Sequence, residues 1–304
     1  MTKGNENSEF HLKNSGEKLK NKKIILYLKK MPIAGGIIFG LVILSAIFGP
    51  MLIPYGPADQ DFSRVLKPPF WQNGGEIKHP LGTDMLGRDI VSRIVHGARI
   101  SLFVGLVTVL LSCFIGTWLG MLSGYVGGKV DSLIMRLTDI QLSMPYFLIA
   151  IAIIGALGPS IKNIIIVIAI TNWVGYARII RGEVLSLRQM EFIEAAVVGG
   201  CSTLRILFNH ILPNVVNSLI VLATLDLGRV IIFESAFSFL GLGVKPPAAS
   251  WGSMLADGRI YLTYAWWLAT FPGLAIMFTV LGTNLLGDWL RDILDPKRKR
   301  VMMV

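Results

Sequence analysis

Charge is in short supply in this sequence. Asp, Glu, Lys and Arg make up only 16% of its 304 residues, against about 25% in a soluble domain. A chain so poor in charge cannot solvate an ordinary globular surface of its size. Cysteine is scarcer still. Cys113 lies in an apolar run and Cys201 in a polar loop, so no disulfide is expected between them, and neither has a partner at metal-ligand spacing. The four histidines, His11, His79, His96 and His210, are scattered. They form no H-E-x-x-H pair that would point to a zinc protease. A nucleotide-binding P-loop, G-x4-G-K-[ST], is also missing. The nearest approach, Gly127-Gly128-Lys129, has Ser123 at the first glycine position and Val130 in place of the magnesium-holding hydroxyl. Nor is a nucleophile paired with a base evident in any apolar run. Catalytic, cofactor and metal sites are therefore not expected in this chain.

What fills the sequence instead is apolar. Hydrophobic residues make up 53% and the mean hydropathy is +0.62. Crossing a bilayer takes roughly 20 predominantly apolar residues. Six runs approach that length, at 33–53, 101–123, 134–156, 162–178, 214–234 and 267–287. The fourth is short, charge interrupts the fifth, and the sixth carries Pro272. The expected class is an all-α polytopic membrane protein with about six spans, a count of five or seven staying open.

The formal net charge is +10. Its distribution fits the positive-inside pattern better than nucleic-acid binding. Lys18, Lys20, Lys22, Lys23, Lys29 and Lys30 precede the first run, and Lys297, Arg298, Lys299 and Arg300 come after the last. Both ends are thus expected in the cytoplasm, which requires an even number of spans. The expected division is a basic tail at 1–32, a transmembrane domain at 33–290 and a basic tail at 291–304. Alternation then puts 54–100 and 235–266 outside and 179–213 inside. The tail before the first run is too long and lacks the cleavage site of a signal peptide. Residues 17–31 suit either an interfacial helix or an unstructured basic tag.

Within the runs, Gly116, Gly120 and Gly124 recur every four positions, as do Gly36 and Gly40, a spacing that lets helices approach closely. Pro145 lies in the third run and is expected to kink it. Asp226 and Arg229 are three apart, so they share a helix face and can pair. Charge at such depth must face protein or a water-filled cavity, and a bundle-internal pair or a cavity-lining pair would satisfy that. Asp226 is the one acid read as lying deep in a run. An ion-coupled secondary transporter, the rival class, would route its ion through that residue. Trp251, Trp266 and Trp267 are expected as anchors at the membrane interface.

The segment 186–214, SLRQMEFIEAAVVGGCSTLRILFNHILPN, alternates between helix and break. Good helix formers run to Glu194-Ala195-Ala196. Gly199-Gly200 supplies a residue for the left-handed helix end. Ser202 or Thr203 can cap the next helix, and Pro213 is expected to mark the boundary of the next span. The pattern resembles the signature loop of ABC import permeases, E-A-A-x3-G with L-P downstream, on Glu194, Ala195, Ala196, Gly200, Leu212 and Pro213. His210 stands where that pattern has isoleucine. Two further segments, HPLGTDMLGRDIVSRIVHGARISL at 79–102 and ESAFSFLGLGVKPPAASWGSMLADG at 234–258, are similar to the C-type permease of dipeptide, oligopeptide, nickel and glutathione importers. Asp84, Arg88 and Asp89 form a mixed-charge group there, suited to stapling the outer loop to the bundle or to docking an external protein.

The resemblance implies a type I ABC importer permease fold. It implies that the helix around Glu194 and Gly199 inserts into a cytoplasmic ATPase. It further implies a second homologous permease, two ATPase subunits that use ATP and magnesium, and an extracytoplasmic binding protein. The implied substrate is a di- or oligopeptide, with nickel or another metal chelate as the alternative, and the implied location is the bacterial plasma membrane.

Overall fold

A computed structural model describes residues 33–294. The two basic tails lie outside that range, apart from residues 291–294. Helix dominates for a simple reason: in hydrocarbon every backbone N–H and C=O must be satisfied within its own segment. Five helices are long and apolar enough to span: α1 (Ile33–Leu52), α2 (Ile90–Val126), α5 (Ile161–Leu187), α8 (Leu212–Phe239, continuous with the helical turns from Thr203) and α10 (Trp267–Leu294).

The third apolar run is built differently from a simple kinked span. It forms α3 (Gly128–Leu142) and α4 (Tyr146–Leu157), which meet at 87°. Pro145 stands immediately before α4 and lacks the N–H that would continue α3. The bent pair counts as a sixth span if taken as one.

Several helices outrun their apolar stretches. α2 begins at Ile90, where Asp89 caps it by accepting a 2.7 Å hydrogen bond from the Ser92 amide. Residues 90–100, expected in the outer loop, are therefore helical. α5 likewise continues to Leu187, into the segment expected as loop. Pro213 does not break the chain. One turn before it, Leu207–Ile211 widens into a π-helical turn, and the helix passes through. A proline ring crowds the carbonyl four residues back and removes one ladder bond. The wider turn relieves both.

The spine is α2 packed on α5. A side chain at Gly120 would meet the Ala177 carbonyl oxygen at 2.6 Å, and one at Gly124 would meet Val184 Cβ at 2.8 Å. Gly116 lies against Tyr176 in the same way. In α1 the close approaches belong to Gly35, against Leu285, and Gly49, against Val95, whereas Gly40 faces open space. Around the spine sit four apolar clusters, the smallest joining α2, α3 and α5 through Ile134, Trp173 and Ala177. One joins α2, α4, α5 and α8 through Val104, Ile154, Ile168 and Phe237. Another joins α2, α5 and α8 at the end near residue 200, through Met121, Ile180, Ile211 and Val215. The last joins α1, α2 and α10 to α9 (Trp251–Gly258).

That last cluster buries Trp251 and Trp267. They are not interface anchors. Each indole satisfies its N–H inside the protein, Trp251 on the Ile94 carbonyl at 2.9 Å and Trp267 on the Thr83 carbonyl at 3.1 Å.

Candidate functional site

Three places carry chemistry, and the first is a knob between α5 and α8. Its first helix, α6, spans Glu191–Val198, and α7 is the single turn Thr203–Ile206 leading into α8. Gly199 closes α6, and Gly200 comes next at φ +77°, the left-handed conformation a helix end requires. Ser202 caps α7 by accepting from the Arg205 amide at 3.4 Å. Glu194 and Ala195 are exposed and Ala196 is half-buried. Around them Phe192, Val197, Val198 and Leu204 are exposed, Val198 at 89%. Underneath, Ile193 is buried in the same cluster as Ile180, Val184 and Ile206. The knob thus offers an apolar tip with an acidic edge outward, and two isoleucine roots inward, Ile193 and Ile206. Leu212 and Pro213 sit at the head of α8, behind the π turn.

The second place is a polar network between α5 and α8. Asp226 and Arg229 pair at 2.7 Å, Nη2 to Oδ1. The other Asp226 oxygen accepts from the Tyr176 hydroxyl at 2.9 Å and from the Asn172 amide. The Asn172 oxygen accepts in turn from Arg229. Asp226 is buried, but the Arg229 side chain is 55% exposed. It opens into a cavity of about 250 Å³ walled by Gly175, Tyr176, Ile179, Leu222 and Leu225. Ile179, Leu222 and Leu225 also border a larger cavity of about 560 Å³ toward the knob. Glu183, Asn214, Asn217, Ser218 and Arg291 bring polar groups to its walls. Together they form a groove along α5 and α8.

The third place is the outer cap. Asp84 accepts from Arg88 Nε at 2.7 Å and Arg93 Nη1 at 2.6 Å, and Arg93 reaches Asp257 on α9 at 3.2 Å. Asp89, besides capping α2, accepts from His79 at 2.9 Å. Asp84, Arg88, Asp89 and Arg93 are all buried. Two of the three residues expected to act together, Asp84 and Arg88, bond directly, and Asp89 works beside them on α2. At the loop's exposed edge, hydrogen bonds from the Ser63 hydroxyl and amide hold the Asp61 carboxyl below the usual carboxylate range.

With the geometry described, relatedness decides the class. Residues 116–300 match the family model described as the inner membrane component of binding-protein-dependent transport systems. The chain belongs to that family. Residues 26–69 of the permease also match the N-terminal transmembrane domain of oligopeptide transport permease C. It is 46% identical over 266 residues to the di/tripeptide transport system permease protein DppC of Pseudomonas aeruginosa, covering 87% of this chain and 88% of that one. It is 47% identical over 270 residues to the dipeptide transport system permease protein DppC of Alkalihalophilus pseudofirmus, covering 89% and 87%. A solved structure of the MetNI methionine ABC transporter in inward-facing conformations shares the fold, with a TM-score of 0.54 at 18% identity. That match covers 67% of the permease and 96% of the solved chain. The permease is therefore a multi-pass inner-membrane protein with an ABC importer permease fold.

Some site residues were not evident in the sequence. Asn172 and Tyr176 lie in a run read only as apolar, and their distance along the chain from Asp226 hides the contact. Arg93 and Asp257 join the outer cap across a similar gap. Glu234 corrects an expectation directly: Asp226 is not the one deep acid. Glu234 is wholly buried on α8, accepting from Ser238 at 2.8 Å and Ser101 at 3.3 Å. Ser238, one turn on at i+4, was the available signal. Among the described residues no group of three or more His, Cys, Asp and Glu side chains could hold a metal ion.

Proposed function

We propose that the permease forms half of the translocation pathway of a peptide importer and is driven by ATPase subunits beneath it. The observation that carries this is identity above 40% with di- and tripeptide permeases along nearly the whole of both chains. The groove along α5 and α8 supplies this chain's wall of the path. A second, homologous permease supplies the other wall, because Arg229 in an open groove needs a polar or protein-lined surface facing it. An extracytoplasmic binding protein delivers the peptide. Two ATPase subunits bind ATP and magnesium and hydrolyse the nucleotide, and this chain takes no part in that chemistry. It lies in the bacterial plasma membrane with both termini cytoplasmic.

Coupling runs through the knob. Its exposed apolar tip and Glu194 suit a groove on a cytoplasmic partner. A displacement of α6 is transmitted through Ile193 into α5 and α8, the helices that wall the groove. The path from partner to groove thus consists of packed side chains throughout.

The test is purification of the tagged chain from its native membrane, identification of its partners, and reconstitution in liposomes with ATP. We expect a second permease, P-loop ATPases and a binding protein, and uptake of dipeptides that depends on ATP. A chain that purifies alone and transports alone in response to an ion gradient would overturn the proposal and move the mechanism to Asp226.

A further inference from the structure

The groove carries an inference about what it recognises, and this inference rests on the peptide reading above. We infer that Arg229 receives the C-terminal carboxylate of the passing peptide. Arg229 is ten residues before the end of α8, about 15 Å from it at 1.5 Å per residue. An exposed guanidinium at that depth does not face lipid but protein or a water-filled path.

Its geometry is that of a pre-set receptor. Among the described residues only Nη2 is engaged, bridging Asp226 and Asn172. Nε and Nη1 have no hydrogen-bond partner among the described residues, and the side chain is 55% exposed. The support beneath is itself fixed, because Tyr176 and Asn172 hold the far oxygen of Asp226. A carboxylate can accept a charge-assisted hydrogen bond from Nη1 or Nε, and a guanidinium already held in place loses little freedom in donating it.

The surroundings fit a peptide terminus. Ile179, Leu222 and Leu225 place apolar surface beside the guanidinium, which lowers the local dielectric and strengthens the charge contact. Across the cavity Gly175 has no atom within 4 Å of where a side chain would begin, leaving room for a main chain. Every unmodified peptide carries a C-terminal carboxylate, so a site for it tolerates any side chain. Asp226 competes for the same guanidinium, which keeps the contact weak enough for the peptide to move on. Glu183 and Arg291 line the groove beyond, toward the knob.

The test uses the complete importer in liposomes with its binding protein, comparing uptake of dialanine with C-terminally amidated dialanine. The binding protein's own preference is common to all variants and cancels in the ratio of the two rates. Arg229→Gln should lower that ratio about tenfold, the size of one charge-assisted hydrogen bond, mainly by slowing the free acid. The paired change Asp226→Asn with Arg229→Gln removes the guanidinium without stranding a buried carboxylate, and should lower the ratio equally. It decides the matter should the single variant fail to assemble, as judged by ATPase stimulation by the binding protein. Parallel loss of both peptides, or a ratio like that of the wild type, would overturn the inference while leaving the importer assignment intact. Wild-type importer that takes up neither peptide would overturn the peptide reading and this inference together.

Discussion

Gly200 and Glu194 divide the work of the knob at the level of single residues. Gly200 holds φ +77° with nothing within 4 Å of its missing side chain. Substitution there is opposed by backbone conformation alone, at about 1–2 kcal/mol for a left-handed L-residue, and most strongly for a β-branched one. Gly200→Val should therefore reorient α6 relative to α7. Glu194 is exposed, so Glu194→Lys leaves the fold unchanged and reverses the charge presented to the partner. Both variants should reach the membrane at normal levels and lose ATPase stimulation by the binding protein. Full stimulation in Glu194→Lys would show that the ATPase docks elsewhere.

The element that matters most is the α2–α5 pair. Its contact at Gly120 is made against a main-chain carbonyl, which cannot rotate away as a flexible side chain would. Gly120→Leu should force the helices apart, costing about 1–3 kcal/mol or more. Thermal unfolding in detergent should show a lowered midpoint, with transport lost because α5 carries Asn172 and Tyr176. Gly182, on the same helix, has nothing within 4 Å. Gly182→Ala should be neutral or slightly stabilising, since alanine favours helix by about 1 kcal/mol. Equal damage from both changes would mean that glycine serves backbone flexibility in α5 and not close packing.

Across the whole molecule, the outer cap ties distant parts of the chain together. Asp84 in the loop, Arg93 on α2 and Asp257 on α9 form one chain of charges, buried at Asp84 and Arg93 and 38% exposed at Asp257. Removing one partner of a buried pair costs about 3–5 kcal/mol because the other is left uncompensated. Asp84→Ala leaves the buried Arg88 and Arg93 with only the half-exposed Asp257 to pair with. Limited proteolysis should then cut the outer loop readily, and the unfolding midpoint should fall. Because the pairs are buried, raising the salt concentration should leave the wild-type midpoint nearly unchanged. A cap that loosens in salt would be a surface network with little structural weight.

How far the sequence determined this protein depends on the range over which each force acts. Spans are set by local sums of hydropathy, so their number and approximate places could be read directly. The break at Pro145, the left-handed Gly200 and the Ser202 cap are also local, each depending on a few neighbouring residues. Pairing Asp226 with Arg229 needed only helical periodicity. Tertiary structure decided the rest. Which residues support Asp226, which acid is wholly buried and which tryptophans leave the interface all depend on the faces that helices present to one another. Those faces bring together residues such as Asn172 and Asp226, or Arg93 and Asp257, which no sequence window contains. The π turn before Pro213 belongs here too, since the packing of Leu207 and Ile211 holds the helix through a residue that would locally end it.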